Sequence, residues 1–417
     1  MKLKLLLLVC SALISIPAFA SEPVVAYTFE CKNSSFQGEG PCPQGGRPGA
    51  LILGSDGNFY GTAQVSAEGS STPSGGTVFS VTPSGKFTLL HTFLPGVGID
   101  YPQGNVPGLL VEGGDGKIYG TTLFGGIGGC NGYCGNGVLY RINRNGSGFE
   151  ILHEFCSETN CADGGQRAMV AAPDGNIYGS SVTGGTGNCG SYYQGCGTIF
   201  RVTPASGAYE VLLNFEPGKT GEFPSRMALS ADGTLYGVVF GTTGQELFHF
   251  TPSTGKLTTV GLPFPLINSL PSRGEAPVFG ANGHLYGLYH VYATPGMGVY
   301  EVHTDGSGFQ LFPFYTKQDG AGSPDGLTLA SDGTFWVAND NGTTGYGNIV
   351  EISPTNGQLV KTLSLFGPNA AVGEYPAEII QSKDGTFWLS TYGGGKSTSG
   401  HFADGTVFRV NLGLPPL

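Results

Sequence analysis

Asp56-Gly57-Asn58-Phe59-Tyr60-Gly61-Thr62 recurs as Asp115-Gly116-Lys117-Ile118-Tyr119-Gly120-Thr121, and with drift at Asp174, Asp232, Asn282, Asp332 and Asp384. Seven copies at intervals of 50 to 59 residues mark a chain built from repeated supersecondary units. Asp-Gly between apolar runs is a hairpin signal, because both residues tolerate the positive φ of a tight turn. Around the first copy, Ala50–Leu53 and Phe59–Ala63 read as two strands, followed by a Gly/Ser-rich loop. A third strand, Thr77–Thr82, then the turn Pro83-Ser84-Gly85 and a fourth strand, Phe87–Phe93, complete the unit. In the fourth strand Phe87, Leu89, His91 and Phe93 alternate with Thr88, Leu90 and Thr92, the period of a strand with one face against a neighbour.

The four segments return five times in full, but the seventh unit stops after Thr406–Asn411. The missing fourth strand has its counterpart at the other end, in Val24-Val25-Ala26-Tyr27-Thr28-Phe29. Pairing residues 24–29 with 405–411 closes a circle and protects sheet edges, which an open solenoid does not do. The expected fold is all-β, a seven-bladed β-propeller of four-stranded antiparallel meanders with a terminal clasp, in a single domain over residues 21–417.

Residues 1–20 read as a secretory signal, with Lys2 and Lys4, an apolar stretch from Leu5 to Ser15, and Ala18-Phe19-Ala20 before the cut. Leu8-Val9-Cys10 lacks the small residue that precedes a lipidated cysteine. No later stretch has the roughly twenty apolar residues of a spanning helix. The chain's end, Asn411-Leu412-Gly413-Leu414-Pro415-Pro416-Leu417, lacks an anchoring pattern, so a free secreted or periplasmic monomer is expected. Removing Lys2 and Lys4 leaves 17 basic against 30 acidic residues, a formal charge of −13 that repels phosphate backbones and argues against nucleic acid. The 73 glycines sit in register between apolar segments, which is turn chemistry and not low complexity.

Eight cysteines remain in the mature chain, in close pairs: Cys31/Cys42, Cys130/Cys134, Cys156/Cys161 and Cys189/Cys196. An even count in an exported chain favours disulfides; zinc, the alternative for such spacings, lacks interleaved histidines. No cofactor or metal is expected. The Gly-Gly clusters at residues 125, 184 and 393 precede no helix and so cradle no phosphate, and the turns at Asn145 and Asp305 carry too few carboxylates for calcium.

Gly-Asn-Phe-Tyr-Gly-Thr (57–62), Gly-Gly-Thr-Val-Phe-Ser-Val-Thr-Pro-Ser-Gly (75–85) and Leu-Leu-His-Thr-Phe (89–93) resemble the repeat of the Gloeobacter/Verrucomicrobium (GloVer) tandem-repeat proteins, closely through residue 215. The resemblance implies an exported, propeller-like protein. Phe335-Trp336 and Phe387-Trp388 also resemble streptogramin-lyase-like propellers.

In such a meander the Asp-Gly and Pro-Ser-Gly turns share one bare face, and the long loops share the other, where all eight cysteines fall. Loops on a rigid scaffold are where function concentrates. Arg47, Arg167, Arg226 and Arg273 stand there before innermost strands. Their forks suit carboxylate or sulfate, so an extracellular glycan or another anionic small molecule or protein is the expected partner. Glu222, Glu275 and Glu374 are candidate counter-ions. Where the second strand exits, blades one to four carry Gln64, Leu123, Val182 and Phe240, but blades five to seven carry His290, Asp340 and Tyr392, with Tyr346 and His401 in the loops that follow. Histidine and tyrosine as base and acid, with arginine neutralising a uronate, suit β-elimination. Equivalent positions of adjacent blades are expected to be too far apart for direct hydrogen bonds. His91 and His153 occupy a packing position of the fourth strand. A purely structural surface protein is the third reading.

Overall fold

The computed structural model describes residues 22–31, 42–65, 75–94, 101–126, 137–165, 168–189, 195–242, 244–264, 269–271, 276–291, 296–315, 324–340, 342, 345–396 and 402–417. They form seven antiparallel sheets of four-stranded meanders, as the repeat demands. Blade 1 is Gly46–Leu53, Phe59–Val65, Thr77–Val81 and Phe87–Thr92. Blade 7 takes its fourth strand, Val24–Cys31, from the N-terminus, paired antiparallel with Phe402–Val410 so that Val24 faces Arg409 and Thr28 faces Thr406. The clasp joins the two segments that the sequence pairs and extends further, to Cys31 opposite Phe402. The signal segment, residues 1–20, lies outside the described residues.

The core is a ring of apolar clusters, one at each blade boundary. At the clasp, Phe29, Phe59, Phe79, Trp388 and Val407 are fully or almost fully buried together. Further out, rings of successive blades stack: Tyr27 on Phe87 at 3.9 Å, His91 on Phe149 at 3.8 Å, and His153 on Tyr209 at 3.8 Å. Both histidines are therefore packing groups. Burial pushes the His91 imidazole down to about 4, against a hydrogen bond with Gln103.

Each residue of the recurring phrase has a task. Asp56 accepts from its own turn at Asn58 N (3.1 Å) and from Tyr60 OH (2.8 Å), and Asp115 and Asp174 do the same for Tyr119 and Tyr178. Burial, and then the Asp56 carboxylate, push the Tyr60 phenol up to about 12. The glycine leaves room for the aromatic opposite it on the third strand: a Cβ on Gly61 would lie 2.6 Å from the Phe79 ring. Blade 6 drops both members, placing Val337 opposite Val350. The hydroxyl residue ties the next blade. Thr62 Oγ1 donates to Gly108 O (3.0 Å), Ser180 Oγ to Ser225 O (2.8 Å) and Ser390 Oγ to Gly49 O (2.5 Å). Blades 4, 5 and 6 have Val238, Leu288 and Ala338 there, with no hydroxyl to give.

Candidate functional site

On the loop face a second repeated joint shapes the channel mouth. Pro48, Pro107, Pro224 and Pro376, all buried, open the innermost strands of blades 1, 2, 4 and 7. Each packs on a glycine of the preceding blade, Gly405, Gly76, Gly197 and Gly347 respectively, where any Cβ would collide with the pyrrolidine ring. The hydroxyl ties above bond the carbonyl just after three of these prolines, at Gly49, Gly108 and Ser225. A proline can sit here because its missing N–H faces the open inner edge of the sheet.

These joints frame a cavity of about 260 Å³ that Gln64, Leu109, Arg226, Tyr375, Glu378 and Tyr392 line among others. Arg226 of blade 4 reaches Glu378 of blade 7, with Nη1 at 3.2 Å from Oε2. The two stand at equivalent places, two residues before the one opposite the second-strand aromatic (Ala228 facing Tyr236, Ile380 facing Trp388). At that place the other blades have Ala50, Leu109, Ala168, Ala276 and Gly326, so the ring holds one cation and one anion, and they pair. Both side chains are partly exposed, so the pair itself contributes at most about 1 kcal/mol. It serves better as a polar floor than as a stabiliser.

Above it, Tyr392 OH donates to Gln64 Oε1 at 3.3 Å. The Arg47 guanidinium lies 5.6 Å over the Tyr392 ring, with Nε 3.8 Å from Asp404. Burial pulls the Asp404 carboxyl above the usual carboxylate range, and Arg47 opposes this only in part. Tyr375 donates its backbone N–H to Tyr346 O at 2.8 Å. Burial first, then the charges of Glu374, Tyr346 and Asp340, raise its phenol, so at neutral pH it is a protonated donor. The cavity thus offers two phenols, an amide and a guanidinium–carboxylate pair, a set suited to hydroxyls and to one anionic group.

Of the residues the sequence singled out, Arg226 and Tyr392 line the cavity and Arg47 stacks on Tyr392. Asp340 and Tyr346 lie within electrostatic reach of Tyr375. His290 is in the strand Leu285–Val291, but its side chain is outside the described part of the structure, as are Arg167, Arg273 and His401. Arg47 pairs with Asp404 and Arg226 with Glu378. The expectation that equivalent positions of adjacent blades lie too far apart also fails: Tyr392 and Gln64 are such a pair, and near the axis the blades converge enough for them to bond. Sequence reasoning missed Gln64, Tyr375, Glu378 and Asp404. Aligning Glu374-Tyr375-Pro376 with Gly46-Arg47-Pro48 would have found Tyr375, because both precede the joint proline.

Disulfides join Cys31–Cys42, Cys156–Cys161 and Cys189–Cys196, all on this face; Cys130 and Cys134 lie outside the described residues. Among the described residues no helix is long and apolar enough to cross a membrane. The disulfides fit a secreted or periplasmic protein.

Residues 26–193 match the Gloeobacter/Verrucomicrobia repeat. No curated protein matches the chain by sequence. Among solved structures it is similar to the extracellular domain assigned to a hybrid two-component system of B. thetaiotaomicron, at 13% identity and TM-score 0.54, covering 95% of this chain and 44% of that one. It is also similar to a fungal alcohol oxidase of the AA5 family in complex with copper, at 11% identity and TM-score 0.51, covering 94% and 79%. PorZ, a surface component of the type-IX secretion system of Porphyromonas gingivalis, matches at 13% identity and TM-score 0.51, over 89% and 47%. At these identities the likeness concerns the fold alone. The chain is a seven-bladed, disulfide-bearing β-propeller whose residues 26–193 carry the Gloeobacter/Verrucomicrobia repeat.

Proposed function

We propose that this protein is an exported propeller that binds an anionic extracellular ligand, an acidic glycan, in the cavity at its loop-rich mouth. The observation that carries the reading is the convergence of Arg226, Glu378, Tyr375, Tyr392 and Gln64, from three blades, on one cavity. Its volume, about 260 Å³, falls below the roughly 300–1,000 Å³ of drug-sized pockets, which suits one residue of a glycan and not a length of chain. Tyrosine faces suit sugar rings, and the guanidinium forks of Arg47 and Arg226 suit a carboxylate or sulfate. The chain's overall negative charge does not forbid this, since it is screened beyond about 8 Å at physiological salt and the nearby arginines decide.

Titration calorimetry with polygalacturonate and a neutral glucan tests it. Binding of the acidic polymer alone, weakened about tenfold by Arg47→Ala and by Arg226→Ala, is expected, each being the loss of one charge-assisted bond of about 1.4 kcal/mol. Equal binding of both polymers, or of none, refutes it.

A second reading, a lyase acting on uronic-acid glycan by β-elimination, is favoured by one contact: the Arg47 cation over the Tyr392 phenol. It requires steady growth of the ultraviolet absorbance of an unsaturated uronate, abolished by Tyr392→Phe and by His290→Ala. Binding without turnover removes it.

A further inference from the structure

Seven non-glycine residues among those described have positive φ. Three, Cys156, Asn160 and Cys161, belong to the short loop that the Cys156–Cys161 disulfide closes. The other four, Arg47 (55°), Val106 (56°), Phe223 (53°) and Tyr375 (58°), occupy one place in four blades. Each comes two residues after a positive-φ glycine, Gly45, Gly104, Gly221 or Gly373, and immediately before a joint proline. Left-handed backbone disfavours any side chain, most of all a β-branched one such as Val106, and a following proline narrows the choice further.

Glycine would fit this place without strain, and this chain uses glycine at most of its other positive-φ positions. Four side chains of four different chemistries are kept there instead. The joint explains how: the proline ring wedged on the preceding blade's glycine fixes the backbone from outside, so the surrounding structure holds a conformation that the residue itself resists. In blades 1 and 2 the strand pairing shifts register just after the joint, between Pro48 and Leu51 and between Pro107 and Leu110. Bulges of this sort re-aim side chains and gather beside binding sites. All four residues are half-buried, and the proline after each is buried. Two of them already meet the cavity: Tyr375 lines it and Arg47 covers Tyr392.

We infer that Arg47, Val106, Phe223 and Tyr375 are the ligand-reading residues of the mouth, one per blade on a common Gly-x-x-Pro mount, and that together they select an acidic sugar carrying an apolar ester. Arg47 takes the free carboxylate, Tyr375 stacks on a ring, and Val106 and Phe223, at the equivalent places of blades 2 and 4, each offer an apolar side chain to a methyl or acetyl group. The inference rests on the glycan reading above and narrows it.

The test replaces each residue by glycine, R47G, V106G, F223G and Y375G, and measures melting temperature together with binding of de-esterified and partly methyl-esterified polygalacturonate. Glycine relieves the left-handed backbone, so melting is expected to stay level or rise. Binding is expected to fall at least tenfold. R47G should lose the de-esterified polymer preferentially, and V106G and F223G the esterified one. Melting lowered by more than a few degrees would mean that the side chains are packing groups, and overturns the inference. So does unchanged binding in all four variants. Should the unsubstituted protein bind neither polymer, the glycan reading falls, and melting alone then supports or overturns the claim that these side chains are kept against the backbone's preference.

Discussion

Removing the hydroxyl that ties one blade to the next should destabilise the propeller by an amount that depends on whether water reaches the abandoned carbonyl. Ser180 is fully buried and donates to Ser225 O, and Ser225 is only 6% exposed. In Ser180→Ala that carbonyl loses its side-chain donor in a place closed to solvent, a loss of about 1–3 kcal/mol, or roughly 5- to 150-fold in the unfolding equilibrium. Thr62 and Ser390 bond Gly108 and Gly49, which line the water-accessible cavity. Water can replace the hydroxyl there, and Thr62→Val or Ser390→Ala should cost only about 0.5–1 kcal/mol. The three ties sit at different blade boundaries, so the triple variant should lose about 2–5 kcal/mol by near-addition. Guanidinium unfolding curves measure this, with midpoints falling at unchanged slope. A triple variant within about 0.5 kcal/mol of the parent, or a Thr62→Val costlier than Ser180→Ala, would refute the reasoning.

Acid should weaken the boundary between blades 1 and 2. The His91 imidazole is held at about 4 against its ordinary 6.5, so the native state binds fewer protons than the unfolded one. Its contribution is present above pH 6.5 and is lost as pH falls toward 4, and His91→Phe should flatten the denaturation midpoint across that window. At the clasp, Phe29→Ala removes a fully buried ring that meets Phe79 at 5.1 Å and should cost about 3–5 kcal/mol by calorimetric melting; a loss below about 1 kcal/mol would show that the N-terminal strand is not needed for closure.

The blade count and the clasp were legible because one phrase recurs with the same turn in every copy, Asp or Asn accepting from the N–H two residues on, with Gly admitting an aromatic in five blades and Tyr bonding the Asp in three. The joint was half legible. Arg-Pro, Val-Pro, Phe-Pro and Tyr-Pro stand at one place in four repeats, but a positive φ leaves no mark on the letters when the residue is not glycine. The cavity floor was illegible, since Arg226 and Glu378 lie 152 residues apart and their meeting depends on how bulged strands turn near the axis. Tyr392 and Gln64, 328 apart, share that obstacle. The arginines were found by their place before innermost strands, whereas Asp404 and Glu378, two acids among 30, escaped notice.

The pairing of Val24–Cys31 with Phe402–Val410 also constrains timing. The first strand to be synthesised finds its partner only when almost the whole chain exists, so ring closure cannot precede the last blade. Until then blade 7 lacks its fourth strand, and the cluster that Phe29 shares with Phe59, Phe79 and Trp388 is incomplete. Closure is therefore the least local step of folding, joining strands from opposite ends of the described chain after every other blade has its four strands.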